Sequence, residues 1–228
     1  MKTQIGIFLT TAAFLLAGTS AFGAEAAPGV NADEALKRLL DGNQSYVSNR
    51  LTIENAIGPA TRRALAEGQQ PYAVILSCSD SRVPPEIIFD KGPGAIFVVR
   101  VAGNVSDPII VGSIEYAVEH LGSTLIMVLG HSRCGAVTAA VDGAGHEPGN
   151  IGAILETIAP AVELARKDKE GAAKSELVEA AADINIKLTA QSLVEKSPLI
   201  RSLVDSGKIK IVKAKYDLHD GTVKLLEK

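Results

Sequence analysis

The chain has 228 residues, 46% of them hydrophobic and 21% charged, with 23 Lys and Arg against 26 Asp and Glu. That is the balance of an ordinary globular protein with a sizeable core, and one compact domain is the expected count. A net charge of −3 without a basic patch argues against a nucleic-acid partner.

Lys2, the apolar run Ile5 to Leu16, and the small residues Ala17, Gly18, Ser20, Ala21, Gly23 and Ala24 have the layout of a secretory signal over residues 1–24. Cleavage is expected between residues 23 and 26. An apolar core of roughly a dozen residues is short for a bilayer span, so no membrane attachment is expected after cleavage. The expected location is the bacterial periplasm. Residues 31–228 then form the single folded domain, and a cut after Gly23 leaves it and its short leader with a charge of −4. An oxidising compartment makes a Cys78 to Cys134 bridge, in a non-enzymatic domain, the plain alternative to any chemistry by these two cysteines.

In chain order, Asn31 with Glu34 three residues later marks a helix start, carried on by Leu36, Leu39, Leu40 and Tyr46. Ala73 to Ser77, Ala95 to Val99 and Thr124 to Gly130 are short apolar runs, as expected of strands buried on both faces of a parallel sheet. Helical patterns cover Asp107 to Leu121, Asn150 to Lys167 with a kink expected at Pro160, and Glu176 to Glu195. Ser197 before Pro198 opens a short fourth that closes at Gly207. The tail from Lys208 alternates apolar and polar residues through Asp220-Gly221, a hairpin signature that belongs at a sheet edge. The predicted fold is α/β: a mainly parallel central sheet with an antiparallel edge strand, flanked by helices. In such sheets, ligands sit beyond the carboxyl ends of strands where the strand order reverses.

Two such ends carry chemistry. "CSDSR" follows the first strand with Cys78, Asp80 and Arg82, and "GHSRCGAV" ends the third with His131 and Cys134. Two thiolates, an imidazole and a carboxylate suit tetrahedral zinc, and adjacent parallel strands would bring the two loops together. If strand geometry persists past Ser77, the side chains of Cys78, Asp80 and Arg82 share one face.

These residues resemble the β class of carbonic anhydrases, through "CSDSRVPPEIIFDKGPGAIFVVR", "IEYAVEHLG" and "LGHSRCGAV". The resemblance implies Zn2+ held by Cys78, His131 and Cys134, with Asp80 and Arg82 as the catalytic dyad and Asp80 a possible fourth ligand in a closed state. It implies reversible hydration of carbon dioxide to bicarbonate by a homodimer or tetramer. Gln69, two residues before Pro71, matches the open-site, plant-like subtype. Phe97 and Tyr116 match the aromatic wall of the substrate pocket, and Gly135 would offer a backbone N–H. "VVRVAGNV" departs from the "RN.AN" wording of many members at Val101 and Gly103. The same zinc fold in some relatives hydrolyses carbon disulfide or carbonyl sulfide, and no residue here separates those substrates.

Plainer roles stand beside these. Phe97 and Tyr116 fit core packing equally well, His120 suits a helix C-terminus, and His146 and His219 fall in loop contexts. Pro84-Pro85 shapes the loop.

Overall fold

The computed structural model describes residues 29–143 and 149–227. The expected signal at residues 1–24 and His146 lie outside them. Asn31 caps α1 (Ala32–Val47), its side-chain oxygen accepting from the Glu34 amide at 2.9 Å. Such a cap satisfies an amide that the helix itself cannot. Ala35 and Leu39 are buried from this helix, with Leu36 and Leu40 half-buried beside them.

Five strands form one sheet in the order β2-β1-β3-β4-β5. β1 (Ala73–Ser77), β2 (Ile96–Arg100), β3 (Leu125–His131) and β4 (Lys210–Tyr216) are parallel. β5 (Val223–Leu225) runs antiparallel along β4. Every residue of β1 and β3 is buried, which explains their unbroken apolar sequences. Ala73, Ile75 and Met127 pack with α1 and α3 (Pro85–Ile88) on one face. On the other, Val74, Leu76 and Val128 meet α4 (Pro108–Glu119), α7 (Lys174–Lys196) and α8 (Pro198–Asp205). A third cluster joins α5 (Gly135–Val141), α6 (Ile151–Asp168) and α7 around Cys78 and Cys134.

The chain leaves β1 for β2 on one side and returns to β3 on the other, so the strand order reverses between β1 and β3. Residues just past those two strands therefore face each other across a crevice.

Three expectations change. The tail does not lie wholly at an edge: β4 pairs with β3 along its full length, and β5 alone is the edge strand. Its alternation survives because β4 is only partly covered: Ala214 and Tyr216 are buried, while Lys213 and Lys215 are only partly so. Asp220-Gly221 sits in a six-residue connection rather than a tight turn, closed by Asp217 and Thr222 in a backbone hydrogen bond of 2.9 Å. α2 (Pro59–Ala66), α3 and α5 were not predicted. At four to eight residues they are too short for a helical period to declare itself.

Candidate metal centre

Cys78 stands one residue past β1, His131 is the last residue of β3, and Cys134 precedes the first turn of α5. All three are buried, and their ligand atoms lie within 4.8 Å of one another. A tetrahedral ion with bonds of about 2.0 to 2.3 Å holds its donors about 3.5 Å apart, inside the bound this cluster meets.

His131 Nδ1 donates to the Ser132 carbonyl at 2.9 Å, which leaves the Nε2 lone pair facing the sulfurs. Nε2 is buried and has no hydrogen-bond partner. A buried polar atom in that state calls for an occupant, and an imidazole anchored through its other nitrogen is the usual form of a metal ligand. The thiols make the same demand. Hydrogen bonding from Cys134 draws Cys78 well below the usual thiol range, while that pairing and burial push Cys134 up. A divalent ion between them lets both serve as thiolates. Both cysteines are free, so the bridge that export suggested is not formed. The residues present fit zinc.

Asp80 and Arg82 meet as a fork. Arg82 Nε donates to Oδ1 at 2.9 Å and Nη2 to Oδ2 at 2.7 Å, and the Arg82 amide adds a third bond to Oδ1 at 2.9 Å. Paired this way by Arg82, the Asp80 carboxyl is held well below the usual carboxylate range. Its Oδ2 lies 3.8 Å from His131 Nε2, at the lip of the cluster. The expected strand alternation does not produce this arrangement. Asp80 opens a turn, with the Val83 amide donating to its carbonyl at 3.0 Å, and Arg82 doubles back through that turn. An Asx-type turn brings residues i and i+2 together as effectively as a strand would.

The loop is fixed from outside by a residue the sequence reading passed over. Arg100, at the end of β2, donates Nε to the Cys78 carbonyl at 3.1 Å and Nη2 to the Asp80 carbonyl at 2.6 Å. Its signal was a lone cation closing an apolar strand. Gly103 also contributes: its amide donates to Cys78 Sγ at 3.3 Å. Its φ of 71° favours glycine, and a Cβ there would come within 2.6 Å of Ile158 Cδ1.

Residues 73–223 match the family model described as carbonic anhydrase. Carbonic anhydrase 2 of Mycobacterium tuberculosis is 41% identical over 197 residues, covering 85% of this chain and 92% of that protein. The β-carbonic anhydrase CcaA superposes with a TM-score of 0.70 at 25% identity, over 84% of this chain and 95% of that one. The chain belongs to the β-class carbonic anhydrases. A structure described as one of two tetrameric β-carbonic anhydrases from Sordaria macrospora also matches, with a TM-score of 0.63 and 26% identity over 85% of this chain and 97% of that one.

Within this β-carbonic anhydrase the structure brings Cys78, Asp80, Arg82, His131, Cys134 and Gly135 together. Gly135, exposed at the first position of α5, follows Cys134 directly. Gln69, Phe97 and Tyr116 it places elsewhere. Gln69 is exposed in the loop before β1, and Phe97 is level with Val74, four residues before Cys78 and about 13 Å back along the strand. Tyr116, on α4, packs its ring 6.3 Å from that of Phe97 and is 49% exposed. None of the three approaches the metal cluster of its own chain. The groove of about 820 Å3 between the start of α1, α7 and β4 shares no residue with the cluster either.

Proposed function

We propose that this carbonic anhydrase hydrates carbon dioxide reversibly at a zinc ion held by Cys78, His131 and Cys134, with the fourth position open. Zinc held there would supply a Lewis acid that makes water a competent nucleophile near neutral pH. The observation that carries the open reading is the fork of Arg82 on Asp80, which keeps the carboxylate from turning onto the ion.

The chain's own residues then divide the work. Asp80 accepts a hydrogen bond from the attacking oxygen and turns a lone pair toward the carbon of the substrate. Because its carboxyl stays ionised across the working range, Asp80 orients this nucleophile and does not store its proton. Arg82, with a side chain 55% exposed, acts by restraining Asp80. The Gly135 amide, exposed beside Cys134, would donate to a bicarbonate oxygen. Were Arg82 to let go, Asp80 already stands close enough to become a fourth ligand and close the site.

We assign Gln69, Phe97 and Tyr116 to the substrate pocket of a second copy, in a homodimer or tetramer. Their distance from the local cluster supports this, as does exposed apolar surface on the same helix as Tyr116, where Ile109 is 78% exposed. Export to the periplasm remains the proposal drawn from residues 1–24, and N-terminal sequencing of protein from fractionated cells checks it.

Stopped-flow hydration of carbon dioxide by the purified protein, with zinc measured on the same sample, tests the whole reading. About one zinc per chain and fast hydration are expected. Full activity without zinc, or a Cys78 to Cys134 disulfide in the active form, would overturn it.

A further inference from the structure

The ligands come from two different strands, yet one helix reaches both: the β3 loop directly, and Cys78 by way of Gly103 in the segment after β2. On the β3 side, the turn between His131 and Cys134 passes through Arg133 at a φ of 51°, a left-handed conformation costly for a side chain of that kind. Its amide donates to Glu179 Oε1 of α7 at 2.8 Å. The other oxygen of Glu179 pairs at 2.7 Å with Lys215 Nζ, which also meets Asp183 at 2.8 Å. On the β1 side, Asn185 of α7 is buried and donates Nδ2 to the Gly103 carbonyl at 2.8 Å. The amide of that same Gly103 donates to Cys78 Sγ.

We infer that Glu179 and Asn185 are positioning residues of the metal centre: Glu179 through the Arg133 amide of the β3 ligand loop, and Asn185 through Gly103, in the segment after β2 whose amide in turn donates to Cys78 Sγ. They are six residues apart, about 9 Å along a helix axis. α7 also packs against α5, α6, β3 and β4, so it is among the best anchored elements of the domain. A rigid rod that holds the β3 loop and the N–H donor of Cys78 sets the separation of Cys78 from His131 and Cys134, which the β3 loop does not fix alone. Outer contacts of this kind commonly govern metal affinity by about 10-fold to 100-fold.

The inference rests on the zinc reading above, and its test separates the two. Zinc affinity is measured by competition with a chromophoric chelator for the parent, Glu179→Ala, Glu179→Gln and Asn185→Ala. Circular dichroism and thermal midpoints establish that each is folded. Glu179→Ala and Asn185→Ala are expected to bind zinc about 10-fold to 100-fold more weakly. Glu179→Gln keeps an oxygen for the Arg133 amide while losing the charge that pairs with Lys215, so it should bind as the parent does. In the cobalt(II) form of Asn185→Ala, the sulfur-to-metal charge-transfer band should move to longer wavelength, because Cys78 loses the firm placement of its N–H donor.

Parent-like zinc affinity in Glu179→Ala overturns the inference. So does a loss in Glu179→Gln as large as in Glu179→Ala, since the ion pair with Lys215 would then be what matters. Glu179 is partly exposed and can be replaced without emptying the core, so its two variants decide the matter even if Asn185→Ala does not fold. A parent that binds no zinc would overturn the functional reading itself.

Discussion

The loops after β1 and β3 supply ligands to one cluster but are built differently. The β3 loop has two buried ligands and is locked: His131 is anchored through Nδ1, and Thr138 Oγ1 donates to the Cys134 carbonyl at 2.9 Å. The β1 loop has one buried ligand, Cys78, and two charged residues that reach solvent, held by an ion-pair fork and by Arg100 from the neighbouring strand. Rigidity suits the grip on an ion, and a charged, adjustable carboxylate suits the handling of a reacting oxygen. One loop gives two of the three ligands; the other gives the third and the pair that orients.

The largest effect should come from breaking the β3 loop. Cys134→Ser replaces a soft donor with a hard one, and zinc content should fall well below one per chain, with hydration at the uncatalysed level; elemental analysis and stopped-flow kinetics check both. Breaking the charged pair of the β1 loop should spare the metal. Arg82→Ala is expected to retain zinc and fold yet lose hydration by a factor on the order of 100. Azide should bind Asp80→Ala more readily than Arg82→Ala, since only the latter keeps a carboxylate free to take the open position. Arg100→Ala removes two charge-assisted bonds to the backbone of the same loop. Because Arg100 is an outer contact that orients the loop without touching the ion, its loss should cost roughly tenfold in kcat with zinc still bound.

A distant carboxylate gives the smallest effect and sharpens the contrast. Asp90 is pushed up by burial, but hydrogen bonds from Thr52 and the Ile53 amide outweigh this and hold it below the ordinary carboxylate value. A group depressed in the fold stabilises fully above its unfolded value, near 3.8, and that contribution is lost as pH falls through the folded value. Asp90→Asn should therefore lower the thermal midpoint by a few degrees at neutral pH. The gap from the parent should close in acid, and hydration per zinc should stay unchanged.

Much of this was legible in the sequence where the physics is local. Buried parallel strands announce themselves as apolar runs, Asn31 and Ser197 as caps, and the ligands as soft donors at strand ends. The site's support was not legible, because it depends on contacts between distant segments. Nothing near Asn185 says that it meets a carbonyl 82 residues earlier. Nothing near Gln69 or Phe97 says that one precedes β1 and the other lies early in β2, both away from the strand end where Cys78 stands, since sequence proximity to a motif does not give the end of a strand. The spacing of Cys78, Asp80 and Arg82 was read as strand alternation, when the self-bonding of an aspartate in a turn explains it.

The claim that three donors from two loops build one catalytic metal site is tested most directly by returning zinc to chelator-stripped protein while following carbon dioxide hydration. The rate should start at the uncatalysed level, rise in proportion to added zinc, and stop rising at one zinc per chain. A stripped protein that hydrates carbon dioxide as fast as the loaded one, or a rate indifferent to added zinc, would contradict it.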